Sequence, residues 1–215
     1  MHEHPNPSPW LQRWAHLLPD GGSVLDVACG RGRHLRWLAG RGHRVTGIDR
    51  DAAALAASAD LVATAGATLV EADIENGPWP CPGQTFDAVV VSNYLWRPLW
   101  PALLAALAPG GVLVYETFSA GNQTVGKPSR PDFLLQPGEL LARCAGLRVV
   151  AFEDGYLDRP ARFVQRVVAV RPTQPEGPSP QDLPSHNLPS HNLPSHNLPP
   201  HDLPPRYPLA PPTAA

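Results

Sequence analysis

Short apolar runs alternate with helical segments along the first 171 residues, and this alternation restricts the fold more than any other feature. Five runs are rich in β-branched side chains and nearly continuous in apolar residues, as is typical of strands buried on both faces. They read SVLDVACG, RVTGIDR, ATLVEADI, FDAVVVSN and VLVYETF. The helical segments between them read RHLRWLAGRG, DAAALAASADLVATAG and RPLWPALLAALAPGG. Such alternation predicts an α/β fold with a doubly wound, mostly parallel sheet.

The last two strand-like runs break this pattern. LRVVAFEDGYLD and ARFVQRVVAVR, residues 147–158 and 161–171, are separated only by a short turn, and no helix fits between them. Because a parallel pair needs a long crossover connection, we expect a C-terminal antiparallel hairpin. A further helix, predicted for residues 8–18, precedes the first strand and is expected to close over the carboxyl end of that strand.

The composition of the chain changes sharply after Arg171. Residues 172–215 are rich in proline, lack a periodic apolar pattern and contain LPSHN three times in succession. We therefore predict one domain over residues 1–171 and a disordered, Pro- and His-rich tail over residues 172–215. Histidines recur in this tail and are candidates for metal chelation, but a repeat without a ligand is the favoured interpretation, and no metal site is predicted. They are His186, His191, His196 and His201.

Charge and cysteine content disfavour several classes of function. The formal net charge is −2, so the chain offers no electrostatic reason to bind nucleic acid or an anionic membrane. Cys29, Cys81 and Cys144 are far apart and form no CxxC motif, which indicates neither a disulfide framework nor a zinc site. The polar N-terminus lacks the apolar core of a signal peptide. We expect a reduced, cytoplasmic protein, and its oligomeric state is left open.

A glycine-rich turn, VLDVACGRGRH at residues 24–34, follows the first strand directly. Gly30 and Gly32 precede a helix, and glycines in that position let a ligand contact bare backbone at the helix N-terminus. A nicotinamide dinucleotide is disfavoured, because its fingerprint needs a small residue where Leu35 stands. Asp26, an acid inside the strand, is better suited to a ligand that carries positive charge.

These residues resemble the motifs of the class I S-adenosylmethionine-dependent methyltransferases. LDVACGRGRH resembles the first motif of that family, with Ala28 where many members have glycine. GIDRD, EADIENGPWP, FDAVVVSNYL and LLAALAPGGVLVYETF resemble the later motifs, in the same order, so that the resemblance covers residues 9–171. It implies a Rossmann-like sheet with an antiparallel final hairpin, and S-adenosyl-L-methionine as the methyl donor.

The same resemblance implies a set of cofactor-binding residues. They are Asp26, Ala28, Gly30, Gly32, Asp49, Arg50, Asp73, Ile74 and Ser92. In the family pattern, the acid matching Asp26 and the glycine-rich backbone hold the amino-acid end of the donor. Asp49 would accept hydrogen bonds from both ribose hydroxyls, whereas Asp73 would bind the adenine amino group and Ile74 would pack on the ring. Two alternatives stay open: Asp49 or Asp51 caps the next helix, and Asp73 is a turn acid.

The residues after the fourth strand are the candidates nearest the transferred methyl group. Ser92, Asn93 and Tyr94 stand where the family places the nucleophile, but the sequence offers no clear general base, so the catalytic residues stay unknown. SNYL replaces the NPPY-type motif of enzymes that methylate amino nitrogens of nucleic acids. The domain histidines, which are His16, His34 and His43, are predicted to lie on solvated helix faces.

The long loop at residues 119–137 is predicted to be a lid over the site, since loops of this length in compact domains are usually functional. Tyr94 and Trp96 near the mouth, with Lys127 and Arg130 on the loop, are the tentative substrate-binding residues. Phe133, Leu134 and Leu135 are expected to anchor the end of the loop by burial. A small-molecule acceptor is the favoured partner. The alternatives are a methyltransferase that acts on protein or RNA, and a non-catalytic binding module of the same fold.

Overall fold

The chain folds around one seven-stranded sheet in a computed structural model that describes residues 6–173. The predicted tail lies outside the described residues from residue 174 onward, and so do its LPSHN repeats. The strands are β1 Ser23–Val27, β2 Arg44–Asp49, β3 Thr68–Glu71, β4 Phe86–Ser92, β5 Leu107–Phe118, β6 Arg148–Asp158 and β7 Ala161–Val170. No helix within residues 6–173 is long and apolar enough to cross a membrane.

The strand order is β3-β2-β1-β4-β5-β7-β6. Strands β1 to β5 are parallel to one another, whereas β7 is antiparallel to both β5 and β6. The predicted doubly wound, mostly parallel sheet with a C-terminal antiparallel hairpin is therefore confirmed. Because the order reverses direction at β1 and β4, this point of the sheet is where open α/β folds bind ligands.

Six short α-helices within residues 6–173 cover the two faces of the sheet. They are α1 Pro9–Trp14, α2 Arg33–Ala39, α3 Ala52–Ala56, α4 Asp60–Ala65, α5 Trp100–Ala105 and α6 Glu139–Arg143. The single helix expected over residues 51–66 is wrong. It is divided between α3 and α4 because Ser58 is fully buried and its hydroxyl donates to the carbonyl of Arg31 at 2.9 Å. Helix α6 was missed, and β5 begins at Leu107, ahead of the predicted start at Val112.

Helix α1 packs on a face of the sheet, so its predicted position over the end of β1 is wrong. Trp10 and Trp14 are buried, and the indole N–H of Trp10 donates to the carbonyl of Val167 in β7 at 3.3 Å. Two large aromatic side chains gain more by burial against this apolar face than by covering a strand end. Only the segment that precedes α1, around Ser8, reaches the site end of the sheet.

Helix α2 lies unusually close to β2 because Gly47 has no side chain. A Cβ atom at Gly47 would lie 2.5 Å from Leu35 Cδ1 and 2.9 Å from Cys29 Sγ. Leu35 stands where a dinucleotide fold needs a small residue, and here the facing strand supplies that small residue as Gly47. The helix that follows the glycine-rich turn is thereby held against the sheet by a fully buried leucine.

We expect Gly47→Ala to lower the free energy of unfolding by about 1–3 kcal/mol, because the added methyl group overpacks the contact with Leu35. Chemical denaturation measures the change. The matched control is Gly155→Ala in β6, where an added Cβ meets nothing within 4 Å; that variant should stay within about 0.5 kcal/mol of the parent. Equal stabilities for the two variants would contradict this account of α2 packing.

Candidate active site

The carboxyl ends of the parallel strands open onto a cavity of about 400 Å³. Its walls come from the loops after β1, β2, β3 and β4, from the end of β5 and from the loop at residues 119–137. A second cavity of about 330 Å³ lies beside the glycine-rich turn and shares Ala28 and Asn93 with the first. The volume of each is in the range of small-molecule sites. The two cavities form the candidate active site.

The two glycines of the turn have different roles. Gly30 has a φ of +55°, and a Cβ atom there would meet nothing within 4 Å, so its backbone is bare toward the second cavity. Gly32 has a φ of +71°, but a Cβ atom there would lie 2.0 Å from the Ser58 hydroxyl oxygen. Gly32 is therefore required for packing against the α3–α4 junction, whereas Gly30 is the glycine that a ligand can approach.

Asp26 lies beneath the turn, where it is 1% exposed. Its Oδ2 atom is 3.5 Å from Nδ1 of His34 and has no hydrogen-bond partner among residues 6–173. Nε2 of His34 accepts the amide proton of Ser8 at 3.2 Å, so a neutral ring carries its own proton on Nδ1, facing Asp26.

The prediction of solvated histidines is wrong for two of the three. His34 is 3% exposed because it bridges the buried carboxylate of Asp26 and the backbone of Ser8, which the sequence does not reveal. His43 is also buried, and desolvation lowers its pKa. His16 is half-buried. Through its two ring nitrogens, His34 connects Asp26 of β1 to Ser8 in the segment before α1.

Asp49 ends β2 and reaches back to the glycine-rich turn. Its Oδ2 accepts the amide proton of Gly30 at 2.7 Å, and its Oδ1 accepts that of Asp51 at 3.0 Å. Each carboxylate oxygen keeps a further acceptor site, and Asp49 lines the larger cavity. Asp51 caps α3 through the amides of Ala53 and Ala54, so the alternative in which Asp49 caps that helix is wrong.

Asp73 is an exposed acid that stabilises the turn after β3. Its carboxylate accepts hydrogen bonds from the side chain of Asn76 at 2.9 Å and from the amides of Glu75 and Asn76 at 3.0 and 3.2 Å. These bonds, with the side chain of Asn76 as the largest contribution, lower the pKa of Asp73. Asp73 therefore has the turn role that was left open, and it also lines the larger cavity beside Ile74.

A polar network at the ends of β4 and β5 was missed by sequence reasoning. Ser92 pairs with Glu116 across these strands, and its hydroxyl donates to Glu116 Oε1 at 3.1 Å while it accepts from Arg33 at 3.1 Å. Glu116 is 4% exposed, and its Oε2 has no hydrogen-bond partner in the described part of the chain. The one available signal was an acid in the otherwise apolar run VLVYETF. The network fixes Arg33 at the rim of the smaller cavity.

The loop after β4 places Tyr94 in the wall of the larger cavity. The hydroxyl of Tyr115 donates to the carbonyl of Tyr94 at 2.8 Å, and Tyr115 itself is buried and stacked on Trp100. The hydroxyl of Tyr94 approaches Glu75 at 3.4 Å, and burial raises the pKa of Tyr94. Trp96 lies elsewhere: it is half-buried and packs against the core of the domain.

The loop at residues 119–137 reaches the larger cavity through Pro128 and Phe133. Leu134 and Leu135 are buried, as expected. The expected burial of Phe133 is wrong, because its ring is 41% exposed and forms part of the cavity wall.

The two cations predicted to bind substrate lie on the exposed side of this loop. Arg130 pairs with Asp132 at 2.9 Å and lies over the ring of Phe133, while Lys127 makes no ion pair within residues 6–173. Neither side chain is part of the cavity wall as the loop stands.

Comparison with known proteins shows a similarity to methyltransferases. Residues 24–111 match the family model described as a methyltransferase domain. The fold is shared with an S-adenosylmethionine-dependent methyltransferase from Mesorhizobium loti, at a TM-score of 0.60 and 20% identity over 74% of this chain and 95% of that one. It is also shared with TehB from Haemophilus influenzae, at a TM-score of 0.58 and 19% identity over 73% and 60% of the two chains. Residues 24–111 therefore match a methyltransferase domain, and the fold of the chain is that of solved S-adenosylmethionine-dependent methyltransferases.

Two curated relatives are similar to part of the chain. The trans-aconitate 2-methyltransferase of Paracidovorax citrulli (strain AAC00-1) is 42% identical over 101 residues, which are 43% of this chain and 37% of the relative. The trans-aconitate 2-methyltransferase of Delftia acidovorans (strain DSM 14801 / SPH-1) is 38% identical over 102 residues, with the same coverage. The match thus spans little more than a third of the length of these relatives.

We expect Asp49→Ala to weaken the binding of S-adenosylmethionine by about 1.5–3 kcal/mol, the usual value of hydrogen bonds to a charged group. Isothermal titration calorimetry measures the change. Asp51→Ala is the matched control, because it removes a neighbouring carboxylate that caps α3; it should lower stability by about 1 kcal/mol and leave affinity unchanged. Unchanged affinity in a folded Asp49→Ala variant would contradict the ribose-binding role.

Proposed function

We propose that this chain transfers the methyl group of S-adenosylmethionine to a small-molecule acceptor. The observation that carries the proposal is the convergence of Asp49, Ile74 and the bare backbone of Gly30 on two adjoining cavities at the reversal point of the sheet. An acid at the end of β2 beside an apolar wall suits a nucleoside, because the ribose needs hydrogen-bond acceptors and the adenine ring needs an apolar surface.

The residues present fit the donor at three points. Asp49 keeps free acceptor sites for the ribose hydroxyls, and Ile74 lies half-buried in the same wall. The turn at Gly30 leaves open space where a side chain would otherwise stand. Asp26 is buried beneath this turn, and its carboxylate suits the ammonium group of the amino-acid end of the donor.

When bound, the donor supplies a methyl group on a sulfonium centre that is already electrophilic. The chain therefore has to orient the acceptor and exclude water, rather than activate the methyl group. Asn93 borders both cavities, and its amide donates to the carbonyl of Glu116 at 2.9 Å, which fixes the loop after β4. Tyr94 of this loop and Phe133 of the loop at 119–137 supply aromatic surface in the larger cavity, where they would confine the acceptor.

A small-molecule acceptor is favoured over a macromolecule for two reasons. The part of the larger cavity beside Tyr94 is bordered by Pro128 and Phe133 of the loop at 119–137, a setting that suits a small molecule. The relatives that match part of the chain are named for a small acid, trans-aconitate. Lys127 and Arg130 stand next to cavity-lining residues of the loop, where a modest movement would bring their charge to an anionic acceptor.

Transfer of labelled methyl groups from S-adenosylmethionine tests the proposed activity. The acceptors are trans-aconitate, pooled small metabolites from a bacterial extract, total protein and total RNA. We expect label in a small-molecule fraction and at least tenfold less label with Asp49→Ala, whose donor binding is weakened. Label confined to protein or RNA, or no label in any fraction from a chain that binds the donor, would overturn the proposal.

The double change Lys127→Ala with Arg130→Ala tests the charge of the loop. We expect donor affinity to stay within twofold and turnover to fall more for anionic than for neutral acceptors, because only the former gain Coulomb energy from the two cations. Steady-state rates for one acceptor of each kind measure the difference. Equal losses for both would remove the electrostatic role of the loop.

A further inference from the structure

We propose that Arg97 is a positioning residue for the acceptor: it holds Phe133 in the wall of the cavity by binding the backbone on both sides of that residue. The inference rests on the proposed function, because it assigns the part of the larger cavity between Tyr94 and Phe133 to the acceptor. Arg97 stands in a short 3-10 turn after β4, three residues beyond Tyr94, and its side chain extends to the loop at 119–137.

The guanidinium of Arg97 makes four hydrogen bonds that together define one position for this loop. Nη1 donates to the carbonyl of Asp132 and Nη2 to that of Leu134, each at 2.9 Å. Nε and Nη2 also donate to the two carboxylate oxygens of Glu139 at 2.7 and 2.8 Å. The two bound carbonyls flank Phe133, so the backbone that carries the cavity-lining ring is bound at both neighbours.

Glu139 is itself a fixed point in the domain. It opens helix α6, and Gln165 of β7 accepts the amide proton of Leu140 at 3.1 Å while donating to the carbonyl of Gln136. Gln165 is fully buried, so α6 is attached to β7 by a side chain inside the domain. The bidentate pair with Arg97 lowers the pKa of Glu139, which keeps the carboxylate charged and the pair intact.

The segment that carries Arg97 is also fixed in the domain. The hydroxyl of buried Tyr115 binds the carbonyl of Tyr94, and Leu95 is buried in the core. Arg97 therefore connects two walls of the cavity. Its own segment carries Tyr94, and the loop that its guanidinium binds carries Phe133. The room for an acceptor between these aromatic side chains depends on the length and planarity of the guanidinium group.

Lysine cannot replace this arginine. A lysine ammonium keeps the charge for Glu139, but its single nitrogen cannot reach both oxygens of Glu139 and both carbonyls at once. Arg143 offers a matched control, because it lies 3.5 Å from the same Glu139 and makes no contact with the carbonyls beside Phe133.

The test compares the full chain with Arg97→Ala, Arg97→Lys and Arg143→Ala, all bound to S-adenosylhomocysteine. Hydrogen exchange measures the amides of residues 133–135. We expect exchange to rise at least fivefold in both Arg97 variants and to stay within twofold in Arg143→Ala. Calorimetric affinity for S-adenosylhomocysteine should stay within twofold throughout. With the acceptor that the parent chain methylates fastest, Arg97→Lys should raise KM at least fivefold and change kcat less than twofold.

If Arg97→Lys had the same hydrogen exchange and the same KM as the parent chain, the positioning role would be overturned, because a positive charge alone would then hold the loop. An equal rise in exchange for Arg143→Ala would overturn it too, because the effect would come from Glu139 and not from the two carbonyls. If Arg97→Ala does not fold, Arg97→Lys decides the question. If the parent chain methylated no acceptor, the proposed function would be contradicted. The exchange data would still test whether Arg97 holds the loop, because they need no acceptor.

Discussion

The two halves of the candidate site are joined by a hydrogen bond in which the amide of Gly30 donates to the carboxylate of Asp49 at 2.7 Å. It connects the turn after β1 to the end of β2. The part suited to an amino-acid end and the part suited to a nucleoside are therefore held in a fixed position relative to each other. The bond depends on the close approach of α2 to β2, which in turn requires Gly47 to leave room for Leu35. The geometry of the candidate site therefore depends on the absence of a side chain at Gly47 in the core.

The strand pattern could be predicted from the sequence because strands buried on both faces are apolar almost without interruption. The antiparallel hairpin followed from the short connection between its strands. The division of α3 from α4 could not be predicted, because it depends on Ser58, whose hydroxyl binds a carbonyl that is distant in sequence. Helix α6 was missed since it has only five residues and is fixed by Gln165 of β7.

The place of a residue was predictable where its position at a strand end decides it, and unpredictable where a partner on another element decides it. Asp49 stood out as an acid at a strand end, and the structure places it in the cavity. His34 looked like a surface histidine because its partners, Asp26 and Ser8, lie on other elements. Glu116 and Arg97 also have their roles through contacts across the fold. A polar side chain that is buried by its partner gives no periodic signal in the sequence.

The direction of β7 has a consequence for any attachment to this protein. Because β7 runs antiparallel to β5, Val170 pairs with Val112 in the middle of β5, whereas Val164 pairs with Phe118 near the cavity. The polypeptide thus leaves β7 on the side of the sheet away from the strand ends that form the site. The six residue steps between Phe118 and Val112 correspond to about 20 Å at the rise of an extended strand. Arg171 secures this exit through hydrogen bonds with Gly110, Gly111 and Leu107. An affinity handle, a surface linker or a fused partner joined after Thr173 would begin on the far side of the sheet and leave the mouth of the cleft open to small molecules.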